Sequence, residues 1–413
     1  MARATTYKLN ITVVNPGSGN KYYIDGVLQS YITLFPGCTY EWNQDDSSNS
    51  GHPLRFATQP DAANSSEYTT GVTTSGTPGS ATAWTKIEVT GDTPYRLYYY
   101  CTNHSGMGNT ITVDTLGTVT RGVQAGNYPS QTDRIIAIDM TTTGKAVDFS
   151  NLTSGRYACA GAGNKVFGYF AGGSPDGGST KLNDINRITY SSYGNAVDDG
   201  DLTAARHYIQ GTGNDTRAIF AGGNTGSVSN IIDYKQFGTG GNATDFGDLT
   251  VARQEGVMYS STTRGIYAGG NKTPAGLSDV IDYITIASTG NATDFGDLTA
   301  ARTGLAGSSS ATRGVQGGGT SGSGQLNTID YITIASTGNA TDFGDLTSAR
   351  DHLVMGISNK LICMFGGGKT PSDTDIIDRV DIATTGNAVD WGDLLESTGY
   401  NQSSTSNGHG GLS

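Results

Sequence analysis

The chain has 413 residues, 61 of them glycine, with only 15% charged residues and a formal net charge of −12. That length exceeds one ordinary hydrophobic core and favours two domains. The acidity works against phosphate backbones and anionic headgroups, so neither nucleic-acid binding nor membrane insertion is expected.

The opening, "MARATTYKLNITVV", has no apolar run of signal-peptide length and already reads as a strand. No stretch approaches the roughly 20 apolar residues of a membrane span. The expectation is synthesis in a cytoplasm without a signal peptide. Further strands follow in "KYYIDGV", "YITLFPGCTYEWNQ", "HPLRFAT", "TKIEV", "RLYYYC" and "NTITVD", separated by turn-rich gaps. Short β-branched and aromatic runs of this kind predict a β-sandwich over residues 1–116.

Within this region "GHPLRF" supplies His52, and "LYYYCTNHSGMGNTITV" supplies Cys101, His104 and Met107 between the last two strands. Thiolate, imidazole and thioether together suit copper. The arrangement resembles the cupredoxin family, whose signature is a histidine followed later by Cys-x2-His-x2-Met. The resemblance implies one type 1 copper site. Cys101, His52 and His104 would form its trigonal plane and Met107 its weak axial ligand. It covers most of residues 6–114. Tyr100 and Thr102 flank Cys101 where a multicopper oxidase would have histidines, and the loop holds one cysteine where a binuclear centre needs two. A mononuclear site remains, or a sandwich that keeps these residues for packing alone.

The other cysteines, Cys38, Cys159 and Cys363, lie far apart without paired spacing. They read as buried thiols and not as a disulfide scaffold.

From residue 117 the grammar changes. "GKAVDFSNL" at 144 returns at 194, 241, 290, 338 and 386, the last as "GNAVDWGDL". In step with it come "FAGG" at 170 and 220, "YAGG" at 267, "QGGG" at 316 and "FGGG" at 365, with a weaker "RGVQAGN" at 121. Six units of about 48 residues match the period of a four-stranded propeller blade. Each reads as a strand ending in Gly-Gly, a variable loop, an alternating strand, a "TGN" turn, an outer strand and the next strand inward. The hydrophobic run ending in Gly-Gly, the Tyr283-type tyrosine, the Phe295-type aromatic and the "TAAR" tail resemble the kelch repeat. Residues 117–413 are therefore expected to form a six-bladed kelch-like β-propeller. The first unit lacks its leading strand, which "TGYNQSSTSN" near the C-terminal end can supply, removing two exposed sheet edges.

Acidic pairs such as Asp245/Asp248, Asp294/Asp297 and Asp342/Asp345 recur in phase. Hard carboxylates suit calcium, but residues repeated in every unit usually serve the scaffold. They are expected to cap turns and meet the arginines that follow, Arg253, Arg302 and Arg350. His207 and His352 read as strand-end or surface positions, with a propeller mouth as the alternative. His409, in "NGHGGLS", reads as part of a flexible tail. No nucleophile motif, P-loop, dinucleotide fingerprint or HExxH occurs, so no enzyme activity is expected.

The loops after each Gly-Gly differ ("SPDGGSTKLN", "NTGSVSN", "NKTPAGLS", "TSGSGQLN", "KTPSDTD"). Variable polar loops on constant strands suit a binding surface, and equally suit an absence of constraint. The near-identical "YITIASTGNATDFGDLT" copies and the "SSNSGHPLRF … YYYCTNHSGMG" pair together resemble virion structural proteins of marine tailed phages, including cyanophages. The resemblance implies a non-enzymatic virion component, a tail fibre or capsid decoration. Its expected partners are other virion proteins and a host-surface glycan or envelope protein. A homo-oligomer is compatible with that setting, though no heptads enforce one.

Overall fold

The computed structural model describes residues 6–30, 32–34, 39–90, 93–94, 96–113, 121–127, 130–140, 146–190, 194–353, 355–398 and 403–413. The chain is all-β and divides into two compact units, the first holding the described residues up to Val113 and the second those from Arg121 onward. The expected boundary between residues 116 and 117 lies outside the described residues, as does Cys38. Among the described residues no helix is long and apolar enough to cross a membrane.

The first unit has two sheets. One runs in the order Val27–Leu28, Lys21–Ile24, Thr6–Val14, Thr39–Asn43, Trp84–Glu88, Val72–Ser75. The other runs Ile32–Leu34, Asn109–Val113, Arg96–Cys101, Leu54–Ala57. Each contains one parallel pair, Thr6–Val14 with Thr39–Asn43 and Asn109–Val113 with Ile32–Leu34. Alternating side chains from both sheets enter one apolar core. Trp42, Tyr22 and Ile87 come from the first sheet, and Phe56, Leu97, Tyr99 and Ile111 from the second. The Trp42 and Phe56 rings meet edge to face at 4.7 Å.

The second unit is propeller-like. Its described strands form six antiparallel sheets, five of four strands and one in which the short Lys369–Thr370 adds a fifth. In the unit containing Tyr283 the strands are Val257–Ser260, Arg264–Ala268, Val280–Thr285 and Thr293–Asp297. Gly-Gly ends the second strand for a steric reason. Gly222 and Gly223 have φ of +68° and +98°, and a Cβ on them would lie 2.6 Å from the Arg253 carbonyl oxygen and 2.8 Å from that of His207. The strand Ser403–Ser406 pairs antiparallel with Arg121–Ala125, so the first sheet is completed by residues from far along the chain.

Repetition in sequence becomes repetition of contacts. The turn asparagines Asn242, Asn291, Asn339 and Asn387, the last three in "TGN", each accept, at 3.1 Å, the backbone N–H of an aspartate in the preceding sheet's outer strand. Tyr234, Tyr283 and Tyr331 stand edge to face with Phe246, Phe295 and Phe343 at about 6 Å. The guanidinium groups of Arg217, Arg264 and Arg313 cover the same tyrosines.

One expectation is corrected. Arg253, Arg302 and Arg350 do not pair with the outer-strand carboxylates. They reach Asp282, Asp330 and Asp378 on the third strands at 2.7, 2.7 and 2.8 Å, and Arg206 reaches Asp233 in the same way. These third-strand aspartates are completely buried, whereas Asp245, Asp294 and Asp342 are exposed. A threonine completes each site: Thr250, Thr299 and Thr347 donate hydroxyls to the same carboxylates at 2.6–2.7 Å. In the second sheet Asn186 occupies the aspartate's place, and Arg156 pairs with Asp184 at 2.6 Å.

Candidate metal centre

Strand register brings the metal-ligand residue types of the first unit together. Cys101 is the last residue of Arg96–Cys101 and stands opposite Leu54 in the neighbouring strand. Two residues before Leu54 is His52, held by its N–H on the Asn49 carbonyl as the chain leaves a short 3-10 turn. Thr102 N–H donates to the Pro53 carbonyl at 3.1 Å, and Asn103 Nδ2 donates to the Gly51 carbonyl at 2.9 Å. The two loops are thereby tied together on either side of the cysteine.

Cys101 Sγ lies 3.8 Å from His52 Nδ1 and 3.6 Å from His104 Nδ1. The two imidazole rings are 4.6 Å apart, and all three ligand atoms lie within 4.8 Å of one another. Metal–sulfur and metal–nitrogen bonds of about 2.3 and 2.0 Å, opened to about 120°, would put sulfur and nitrogen about 3.7 Å apart. The observed spacing is therefore that of ligands around one small ion. Among the described residues no other group of three such ligands is assembled. Met107 is 1% exposed and packs in the same core cluster as Cys101. His52 and Cys101 are buried, and His104 is exposed. Burial, and then the neighbouring His104, hold the His52 pKa below its ordinary value, which favours the neutral ring that a metal binds.

The ligand loop is fixed from outside. The Met107 carbonyl accepts the Tyr22 N–H at 3.0 Å. Lys21 Nζ donates to the Gly106 carbonyl at 2.6 Å, and the Asp61 carboxylate accepts the Gly106 N–H. Gly108 must be glycine, because a Cβ there would lie 1.7 Å from the Tyr99 carbonyl oxygen.

Three supporting residues escape sequence reasoning. The Asn20 amide lies 3.2 Å from His52 Nε2, on the ring edge away from the cysteine. Tyr22 Oη and Gln44 Nε2 both donate to the His52 carbonyl, at 2.8 and 2.9 Å. All three come from distant strands of the other sheet or its loops, and no local motif marks them.

The remaining sequence candidates fall elsewhere. Cys159 and Cys363 are buried free thiols, and burial pushes Cys159 up to about 11. His207 is 6% exposed, so it is a buried ring and not a surface one. It lies against Tyr208 at 4.4 Å, and among the described residues its Nδ1 has no hydrogen-bond partner. His352 is part-exposed beside Asp351 at 3.4 Å. The flexible-tail expectation for His409 is corrected: the ring is 7% exposed and bonded on both nitrogens, because the glycines around it let the segment pack against the inner strands.

No family model and no curated protein sequence matches the chain. Among solved structures it is similar to that of YjhT, with a TM-score of 0.51 and 11% identity, over 66% of this chain and 98% of that one. At that identity the likeness is one of fold alone.

Proposed function

We propose that the chain is a non-enzymatic two-module protein whose first unit is a cupredoxin-like copper-binding domain. His52, Cys101 and His104 would hold one copper ion, with Met107 as axial partner. The observation that supports this best is the 3.6 and 3.8 Å spacing of two imidazole Nδ1 atoms from one thiol sulfur. A thiolate with two imidazoles and a weak thioether suits both copper oxidation states, and so one-electron chemistry or plain copper storage. Titrating the purified chain with Cu(II) should give one equivalent bound and an intense visible thiolate-to-copper band that Cys101→Ser removes. Copper bound with no such band, or a band that survives the substitution, defeats the reading.

A second reading concerns the wider setting. The second unit would be a six-bladed kelch-like propeller in a virion appendage, presenting its loops to a host-surface glycan or envelope protein. Isolated bridges support it by tying residues of the variable loops to residues just ahead of the inner strands: His207 with Asn224, Gln254 with Asn271, Thr303 with Thr320 and Asp351 with Lys369. Particles with the chain deleted should adsorb poorly to their host, and the purified chain should compete for adsorption. Normal adsorption without it rejects the attachment role.

A further inference from the structure

At the far ends of the inner strands, serine hydroxyls link one sheet to the next. Ser260 Oγ donates to the Gly213 carbonyl at 2.6 Å. Ser309 donates to Ser260, Ser358 to Ser309 and Ser406 to Ser358, each at 2.7 Å. The series stops at Gly213, which has no side chain to offer the Gly163 carbonyl. His409 takes that place, its Nε2 lying 2.8 Å from Gly163 O.

The tautomer is fixed by geometry. Gly411 N–H donates to His409 Nδ1 at 3.1 Å, so Nδ1 is unprotonated and Nε2 carries the proton given to Gly163. The ring is neutral and both nitrogens are used. Around it the segment fits closely. A Cβ on Gly410 would lie 2.1 Å from the Ser310 carbonyl oxygen, and one on Gly411 would lie 2.0 Å from that of Gly213. Leu412 is 1% exposed, and its N–H returns to the His409 carbonyl at 3.1 Å. Ser413 N–H donates to Asp215 Oδ2 at 2.9 Å. His409 lines a cavity of about 30 Å³ together with Thr212, Ser260, Ser308, Ser309 and Thr405, polar enough and large enough for water.

We propose that residues 407–413 are an acid-released plug across this end of the inner strands, with His409 as its trigger. A second proton can only go to Nδ1, where it faces the Gly411 N–H donor. The bond is lost, and a charged ring is left that pairs with no carboxylate among the described residues. The charged and titratable groups around it do not rescue that charge. Asp215 favours it, but is engaged with Ser413 N–H and lies 3.7 Å from Lys165 Nζ. Lys360 opposes it, and the buried Tyr190 hydroxyl beside Gly163 is neutral. Burial is the largest influence holding the His409 pKa below its ordinary value. Opening would expose the hydroxyl-lined interior and free the glycine-rich segment.

Amide hydrogen exchange on the full chain tests this, with protection corrected for intrinsic rates at pH 7.5 and 5.0. The Leu412 and Ser413 amides should lose at least tenfold in protection at the lower pH, while those of Ala160–Gly163 and Ser403–Ser406 keep theirs. His409→Gln, which cannot charge, should remove the pH dependence. In the wild-type chain, imidazole 15N shifts should report the Nε2–H form at pH 7.5. Protection that persists at pH 5.0, falls equally in His409→Gln, or falls together with that of the strands overturns the proposal, as does a protonated Nδ1 at pH 7.5.

Discussion

Arg302 Nη2 and Asp330 Oδ2 lie 2.7 Å apart with both side chains completely buried. The Thr299 hydroxyl donates to the Asp330 carboxylate at 2.7 Å, and Arg302 Nη1 donates to the Thr328 carbonyl at 2.9 Å. A buried charge pair of this kind adds little net stability, since desolvation offsets most of its attraction. Removing one partner is different, because it strands the other charge. Arg302→Ala should therefore destabilise the second unit by roughly 3–5 kcal/mol. The double replacement Arg302→Met with Asp330→Leu should cost clearly less. Urea denaturation read by Trp391 fluorescence, after Trp42 and Trp84 of the first unit are replaced by Phe, compares the two. A single replacement no worse than the double would refute the argument.

The proposed copper site makes a separable prediction about residues that would not touch the ion. Asn20 orients the outer edge of the His52 ring, and Gln44 holds its carbonyl while accepting the Leu54 N–H at 3.2 Å. Such partners set ring orientation and ligand basicity, and losing one typically weakens metal binding about 10–100-fold. Asn20→Leu should lower Cu(II) affinity by that factor while leaving far-UV circular dichroism unchanged. Equal affinities for Asn20→Leu and the wild-type chain in a competition titration would remove Asn20 from the site.

The sequence carried the repeats well because each unit repeats the same steric demands. Gly-Gly closes a positive-φ turn, Tyr283 meets Phe295, and the "TGN" asparagine bonds the preceding sheet. It also placed His52, Cys101, His104 and Met107 in the right elements, since strand ends and loop positions follow from local pattern. Long-range pairing was less legible. Arg302 finds its aspartate 28 residues on, across the sheet, and not in the nearer "TDFGD" run, because only the third strand turns a carboxylate inward. His409 was hidden by its composition, since "NGHGG" has the look of a linker until the inner strands show where glycine is required.

Gly223 has φ of +98°, and a methyl group there would lie 2.8 Å from the His207 carbonyl oxygen and 3.3 Å from Ile209. Both the backbone conformation and the space exclude other residues. Gly223→Ala should cost about 1–3 kcal/mol, the usual range for one strained backbone position. Gly226 offers an internal control, since it has φ of +131° and a methyl group added there would meet nothing within 4 Å. Thermal melts of the two variants should place Gly223→Ala lower, and the reverse order would show that steric contact is not what selects glycine.

His207 lies buried between Tyr157 and Tyr208, and desolvation followed by the Lys181 charge pushes its pKa down to about 4. The folded state therefore keeps the ring neutral where an unfolded chain would protonate it. Its contribution to stability is complete above the ordinary histidine pKa of about 6.5 and declines as pH falls from there towards 4. His207→Phe preserves the aromatic contacts and removes the titration. Denaturation midpoints taken at pH 7.0 and 5.0 should draw closer together in the variant than in the wild-type chain. His409 contributes acid sensitivity of the same sign, so the test lies in the difference between the two proteins. An unchanged gap between the midpoints would mean that His207 titrates alike in the folded and unfolded chain, against its burial.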